Sequence, residues 1–425
     1  AKNITSYAYY NGLGQLVSEL DGEGYTTAYQ YDLSGNRTRT TRYAKCLVGT
    51  PVAGTAPQIV ATVPGTVPTG GYVLTDAQDQ TAQATWTVFG QRATETAVDG
   101  TLTQYTYDAL GNRLTAIVAQ GAADSRTTQA RYDKQGRLVQ ELSARGSQAL
   151  AALGASPTQA QIDAVWAGYG TAYTYDAAGR RIKSTDANGN VTLFFYDAAN
   201  RLTFTVRRVK NPADTAQWVG EVSARVFNVL GQVVAEIRYA NRIAATPFAT
   251  LTGGSDAQVK AAGVIVADAA NDSRTDTIYY RTGEVASTTV KLNATENALT
   301  TLIRNAFGEV RARETSLDAT HVRREELVYD RRGLLLTDRR DIVWAWNSGA
   351  TGVVTSASYD AFGRVVSRTD GRNLNHTFAY DKLGRQIQTV NAAGSLDLTQ
   401  STTYDAFGRV LTQTDALNKV TSTTY

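Results

Sequence analysis

The chain has 425 residues, 42% hydrophobic and 19% charged, with 42 Lys and Arg against 39 Asp and Glu. A net charge of +3 argues against a nucleic-acid binder with a large basic face, and a lone Cys46, two His and no Met exclude an intrachain disulfide, a cysteine zinc cluster and a multi-histidine metal site. No run of 18 apolar residues is present, so no membrane-spanning helix is expected.

The scarce residues are offset by 23 Tyr and 36 Gly, an excess that reads as many short strands and many turns. The excess comes largely from one recurring word. It appears weakly at Tyr10, then as Tyr31-Asp32-Leu33-Ser34-Gly35. After a copy at Trp86 come Tyr107-Asp108-Ala109-Leu110-Gly111, Tyr132-Asp133-Lys134-Gln135-Gly136-Arg137 and Tyr175-Asp176-Ala177-Ala178-Gly179-Arg180. Tyr196-Asp197 opens the next, and degenerate copies start at Phe227, Tyr279, Arg304 and Tyr329. The clearest stand near the end: Tyr359-Asp360-Ala361-Phe362-Gly363-Arg364, Tyr380-Asp381-Lys382-Leu383-Gly384-Arg385 and Tyr404-Asp405-Ala406-Phe407-Gly408-Arg409. Fourteen copies cover nearly the whole chain, and Tyr425 begins another.

Five of the spacings are 21 residues, for example Tyr10 to Tyr31 and Tyr359 to Tyr380. Two strands of about seven residues and two short turns fill that length. Each repeat is therefore expected to be a β-hairpin. The aromatic ends a strand, where its ring can pack over a cross-strand partner of the neighbouring repeat. Asp begins the turn, its carboxylate accepting an N–H two residues on. The fifth residue needs positive φ, which Gly supplies without a Cβ clash. Asn200 alone replaces Gly there, and Asn is the next residue best able to hold that conformation. A weaker turn word, as in Asp186-Ala187-Asn188-Gly189 and Asp370-Gly371-Arg372-Asn373, marks the hairpin's other end.

Four insertions interrupt the array, at about 43–85, 146–170, 241–275 and 340–355. The first holds Pro51, Pro57, Pro64 and Pro68 and reads as an extended loop. In the second, Ser156-Pro157-Thr158-Gln159 is a helix start with Ser156 as N-cap, and Ile162, Val165, Trp166 and Tyr169 fall on one face. The third repeats the pattern from Ser255 and Gln258 towards Ala270. In the fourth, Trp344 and Trp346 point the same way on a strand, a candidate sugar-stacking or binding surface. The fold class expected is all-β: repeated hairpins forming a spiralling sheet, barrel or shell, with two short inserted helices.

Catalysis is not expected. The turn carboxylate recurs in nine copies, far more than an active site needs, and no Gly-x-Ser-x-Gly or phosphate-loop word occurs. No cofactor or metal is expected. Between Arg311 and Arg340 eight Arg face six acidic residues, which predicts cross-strand ion pairs.

Fourteen Tyr-Asp-x-x-Gly-Arg-like words at such spacings resemble the RHS/YD-repeat family across essentially the whole chain. That family includes bacterial RHS polymorphic toxins, the B and C components of Tc toxins, and teneurins. The resemblance implies a strip of hairpins spiralling into a hollow shell or barrel. In the toxins the shell encloses a C-terminal cytotoxic domain, and in teneurins it serves adhesion. The Arg-Tyr-Tyr-Asp-Pro words of the toxins' closing core do not occur here, so no residue takes the family's protease role. The expectation is one continuous array over 1–425, a fragment or processed product of a longer secreted or surface-exposed bacterial protein. Its partners would be other segments of the same polypeptide, neighbouring subunits, a toxin cargo or a cell-surface ligand, without nucleic acid or a membrane span.

Overall fold

The computed structural model describes residues 5–293, 295–316, 321–344, 352–405 and 408–423. Thirty strands among them form a single long sheet. The strand text alternates, and so does burial. Along Val191–Tyr196, Val191, Leu193 and Phe195 are buried while the residues between them are only half-buried. Strands pair antiparallel with their neighbours in sequence, as Tyr25–Tyr31 does with Arg37–Cys46 and Asn375–Tyr380 with Gln386–Asn391. Most word hairpins slip register by one residue at the aromatic, as at Tyr31 opposite Arg37 and Tyr359 opposite Val365, which makes a β-bulge. The fold is thus all-β, built of repeated hairpins as expected. It does not close into a barrel: among the described residues the first strand, Tyr7–Tyr10, pairs only with Leu16–Leu20, and the last, Val420–Ser422, only with Val410–Thr414.

The inserted segments differ from expectation in detail. Residues 47–79 are more than an extended loop. Gln58–Val60 and Tyr72–Leu74 make a small parallel sheet, with Tyr72 and Val73 buried. Among the described residues four helices stand where two were expected. The first, α1 (Ala144–Ala151), is capped by the hydroxyl of Ser143, which accepts from the N–H of Gly146. The next, α2 (Gln159–Tyr169), starts two residues later than Ser156 would place it. Thr158 is the N-cap, and it exchanges hydrogen bonds with Gln161 in a capping box that Ser156 has no equivalent of. Two short ones follow, α3 (Ala245–Ala249) and α4 (Ala257–Lys260). The helix predicted to reach Ala270 stops at Lys260 because Ala261 turns extended and Gly263 takes φ +77°.

Both helical insertions lie on the same face of the sheet, the face of the residue preceding each aromatic anchor. Arg131 stacks on the ring of Trp166 at 4.1 Å, and Trp166 packs with Leu142 and Val165. Phe195 and Phe204, opposite each other in the register, lie under Ile243, Phe248, Leu251 and Val259. This second cluster is the larger of the two, with Phe195, Val206 and Val259 wholly buried.

The strip curls until it meets itself. Ten repeats after the word at Tyr10, the N–H of Arg331 donates to the Glu23 carboxylate at 3.0 Å. The Arg332 guanidinium lies 5.2 Å from the centre of the Tyr25 ring, and that of Arg42 lies 5.3 Å from the Phe362 ring. The steady twist of neighbouring strands turns a flat ribbon into such a coil. Here the word turns of the later circuit rest on the opposite turns of the earlier one.

Candidate functional site

The recurring word is the candidate site, and its turn is built within five residues. In the Tyr31 copy, the N–H of Gly35 donates to the carbonyl of Asp32 at 3.1 Å, and the N–H of Asp32 donates to the carbonyl of Asn36 at 3.0 Å. One oxygen of Asp32 accepts both the N–H of Ser34, two residues on, and the N–H of Asn36, four on, at 3.0 and 2.8 Å. The copies at Asp108, Asp133, Asp176, Asp197 and Asp360 repeat both bonds. Asp381 and Asp405 bond the N–H four residues on. Positive φ at the fifth residue closes the turn, +77° at Gly363 and +62° at Asn200, so the one exception holds the same left-handed backbone. The glycines at 35, 111, 136, 179, 384 and 408 share it.

Each aromatic anchor reaches back to the previous repeat. The hydroxyls of Tyr31, Tyr107, Tyr132, Tyr175, Tyr196, Tyr359, Tyr380 and Tyr404 donate at 2.6–3.1 Å to the carbonyls of Leu16, Arg92, Arg113, Leu138, Arg181, Leu335, Val365 and Gln386. Every acceptor is the first strand residue after the previous word. At Trp86 the indole N–H makes the same tie to Arg37. Replacing Tyr380 by Phe deletes one such bond while keeping the ring. Urea unfolding should show a loss of about 1 kcal/mol, and an unchanged midpoint would deny the tie its role in stability.

Arg at the sixth position has a role that the sequence reading left unassigned. Arg364 donates through Nε to Asp360 of its own turn at 2.6 Å and through Nη1 to the carbonyl of Asp381 in the next at 2.9 Å. Its guanidinium also sits 5.0 Å from the centre of the Tyr380 ring. Arg385 repeats all three contacts with Asp381, Asp405 and Tyr404. Arg201 does so with Asp197, Asn228 and Phe227. The arginines thus form a ladder along the turn edge. Where the sixth residue is Asn, as at Asn36 and Asn112, its amide binds the turn Asp but reaches no further. The legible signal was the joint choice of the second and sixth residues: Asp with Arg or Asn, and Asn with Gln at Asn228 and Gln232.

The anchors' own face carries a second set of partners. Tyr173 donates to Glu141 at 2.6 Å beneath the guanidinium of Arg181, and Tyr29 likewise donates to Glu19 beneath Arg37. Burial first, and then the carboxylate, pushes both hydroxyls up to about 12. Between Arg311 and Arg340 the expected cross-strand ion pairs are present: Arg313 with Glu325 at 2.8 Å, Arg324 with Glu314 at 3.4 Å and Arg340 with Glu325 at 3.7 Å.

Four turn carboxylates, Asp32, Asp108, Asp186 and Asp370, sit below their ordinary range. For Asp32, Asp108 and Asp186 the main cause is the amide of the Asn four residues on. For Asp370 it is the N–H of Leu374. A folded pKa below the unfolded value of about 4 gives stability that is fully present above that value and lost as pH falls through the folded pKa. The denaturation midpoint should therefore hold from neutral pH to roughly pH 5 and fall steadily below pH 4. A midpoint constant down to about pH 2 would contradict the role given to these turns.

Trp344 ends the strand Leu335–Trp344, but its side chain lies outside the described residues, as does all of Trp346. Among the described residues no group of His, Cys, Asp and Glu could hold a metal, and no helix is long and apolar enough to cross a membrane.

A family model described as RHS Repeat matches residues 10–44, 167–191, 175–211 and 359–396. None of the curated proteins matches the chain. Among solved structures, the TcdB2-TccC3-Cdc42 crystal structure is 14% identical with a TM-score of 0.45, covering 97% of this chain and 22% of that one. The TcdB2-TccC3-TEV crystal structure is 16% identical at 0.46, covering 97% and 21%. The Photorhabdus luminescens Tc holotoxin pore is 14% identical at 0.46, covering 97% and 22%. The chain spans about a fifth of the length of these chains.

Proposed function

Because this chain is an RHS/YD-repeat protein, with a structural role, we propose that it is a stretch of the wall of a shell that encloses a toxin cargo. The whole of 1–425 acts as one continuous array in this reading, and the word residues, Tyr, Asp and Gly, are its structural anchors. The protein that carries it is secreted or exposed at a bacterial surface and is not an enzyme. The observation that carries the proposal is the curl: after ten repeats the strip's turns rest on its own earlier turns, so the sheet bounds a space. Each hairpin buries little by itself and gains its stability from its neighbours, which makes a stiff wall from repeated units. The turn carboxylates are engaged by backbone N–H groups and arginines, which supports a role in shape.

The gene tests this directly. Enclosure of a cargo predicts that the coding sequence after Tyr425 contains a closing core segment and then a variable toxin domain. A gene that continues with more repeats and a surface anchor would overturn it and favour a second reading, a surface adhesin or extracellular filament that contacts a cell-surface ligand or other subunits. The observation behind that second reading is the exposure of apolar side chains at several word turns.

A further inference from the structure

Neighbouring repeats do not pair along their whole length. The strand that ends on an anchor pairs with the repeat before it only up to the third residue ahead of that anchor. Ser18 with Ala28 is the last pair before Tyr31, Thr94 with Gln104 before Tyr107, and Gln388 with Ser401 before Tyr404. Beyond that pair a notch is left at the word end, and the anchor hydroxyl bridges it to the previous repeat at 2.8–2.9 Å. The far wall of the notch is aliphatic: Val17, Ala93 and Ile387 stand seven residues after the preceding anchors.

One notch is filled. Before Tyr196 the pairing stops again, at Lys183 with Leu193, and Gly254–Ser255 of the third insertion runs parallel to Phe195 and Tyr196 in the space left. The N–H of Asp256 donates to the carbonyl of Tyr196 at 2.9 Å. Ile182, seven residues after its anchor, stands at the far wall, and a Cβ on Gly253 would collide with its carbonyl. Gly253 and Gly254 hold φ +85° and +97°, so the crossing admits glycine and excludes larger residues. The occupant does not change the frame: the Tyr196 hydroxyl still reaches the carbonyl of Arg181, at 2.7 Å. The notch is therefore preformed. Phe195, just ahead of the anchor of the filled notch, is wholly buried, whereas Gln30, Thr106 and Thr403 in the same position are exposed.

We propose that the open notches at Tyr31, Tyr107 and Tyr404 are strand-addition sites for an extended, glycine-bearing peptide segment of another polypeptide. The segment lies in each notch as residues 253–256 lie beside Tyr196. The chemistry of the occupant is read from the one notch that is filled: main-chain bonds to the anchor give affinity, and the collision at the far wall gives selectivity for glycine at the crossing. Because the notch is already open, little is spent on reshaping it. Such binding needs only the hairpins, so it goes beyond the shell reading and does not depend on it.

The probe is a fluorescently labelled peptide with the chain's own sequence over 250–257, Thr-Leu-Thr-Gly-Gly-Ser-Asp-Ala, titrated with the 425-residue protein and read by anisotropy. A second peptide carries Gly253→Ala and Gly254→Ala. Saturable binding of the first is expected, with the second at least about tenfold weaker. Hydrogen exchange at saturating peptide should slow at the strand ends before Tyr31, Tyr107 and Tyr404. No saturable binding at the highest soluble peptide concentration overturns the proposal. So does equal affinity for the two peptides, because the notch geometry then plays no part. Binding that slows exchange at none of these strand ends places the contact elsewhere and also overturns it. Slowed exchange confined to Tyr196 does the same, because the peptide then only replaces the chain's own strand.

Discussion

Phe195→Ala is expected to destabilise the chain by about 3–5 kcal/mol, the usual cost of emptying a Phe-sized site in a packed core. Phe195 is wholly buried, between the strand Leu202–Lys210 and the inserted segment that brings Ile243, Phe248, Leu251 and Val259 onto the sheet. That segment is tied down just beside it. Gly254–Ser255 pairs parallel with Phe195 and Tyr196, and buried Asp256 accepts from the hydroxyl of Thr203 at 3.1 Å while pairing with Lys260. The loss should therefore be felt by the insertion as well as by the strands. A repeat array unfolds as coupled neighbours and not as one indivisible unit. Hydrogen exchange should accordingly show lost protection from Val191 to Arg238 and over 243–260, with the hairpins after Tyr359 unchanged. Uniform loss along the chain would mean that the array is cooperative over its full length, and no loss would mean that the cluster is not a core.

Asp360→Ala should cost about 2 kcal/mol. The change removes the carboxylate oxygen that accepts both turn N–H groups, leaving those of Phe362 and Arg364 without their partner, and it releases the Arg364 guanidinium from its ion pair with the other oxygen. Arg364 is also the link to the next repeat through the carbonyl of Asp381 and the ring of Tyr380, so the two hairpins should loosen together. Asp360→Asn keeps one oxygen for the turn N–H groups and loses the charge opposite Arg364, so it should cost about half as much. Equal losses for Ala and Asn would show that the ion pair, and not the turn, sets the stability. The same word forms part of the seam through Ala361 and Phe362. Asp360→Ala is therefore also expected to relax the curl, read as a larger radius of gyration.

Much of the fold was legible because its determinants are local. The turn needs only the carboxylate of Asp and the backbone freedom of Gly or Asn, all within five residues, and Asn200 at φ +62° follows the same rule as the glycines. Hairpin spacing and strand alternation are equally local. Helix starts were less secure: Ser156 read as the cap, and the reciprocal bonds of Thr158 with Gln161 place it two residues later. The helix predicted towards Ala270 failed because its apolar residues are committed to the sheet. Val259 lies against Phe195 and its neighbours, and that demand ends the helix after one turn.

The sequence alone thus determined the repeat, the turn chemistry and the all-β class. The acceptor of each tyrosine hydroxyl, the three contacts of each arginine, the shared face of both helical insertions and the meeting of Glu23 with Arg331 were decided only by the tertiary structure. The reason is distance along the chain. A turn is specified by atoms a few bonds apart, whereas the curl is the sum of small twists over ten repeats. No single residue encodes that sum, although every repeat contributes to it.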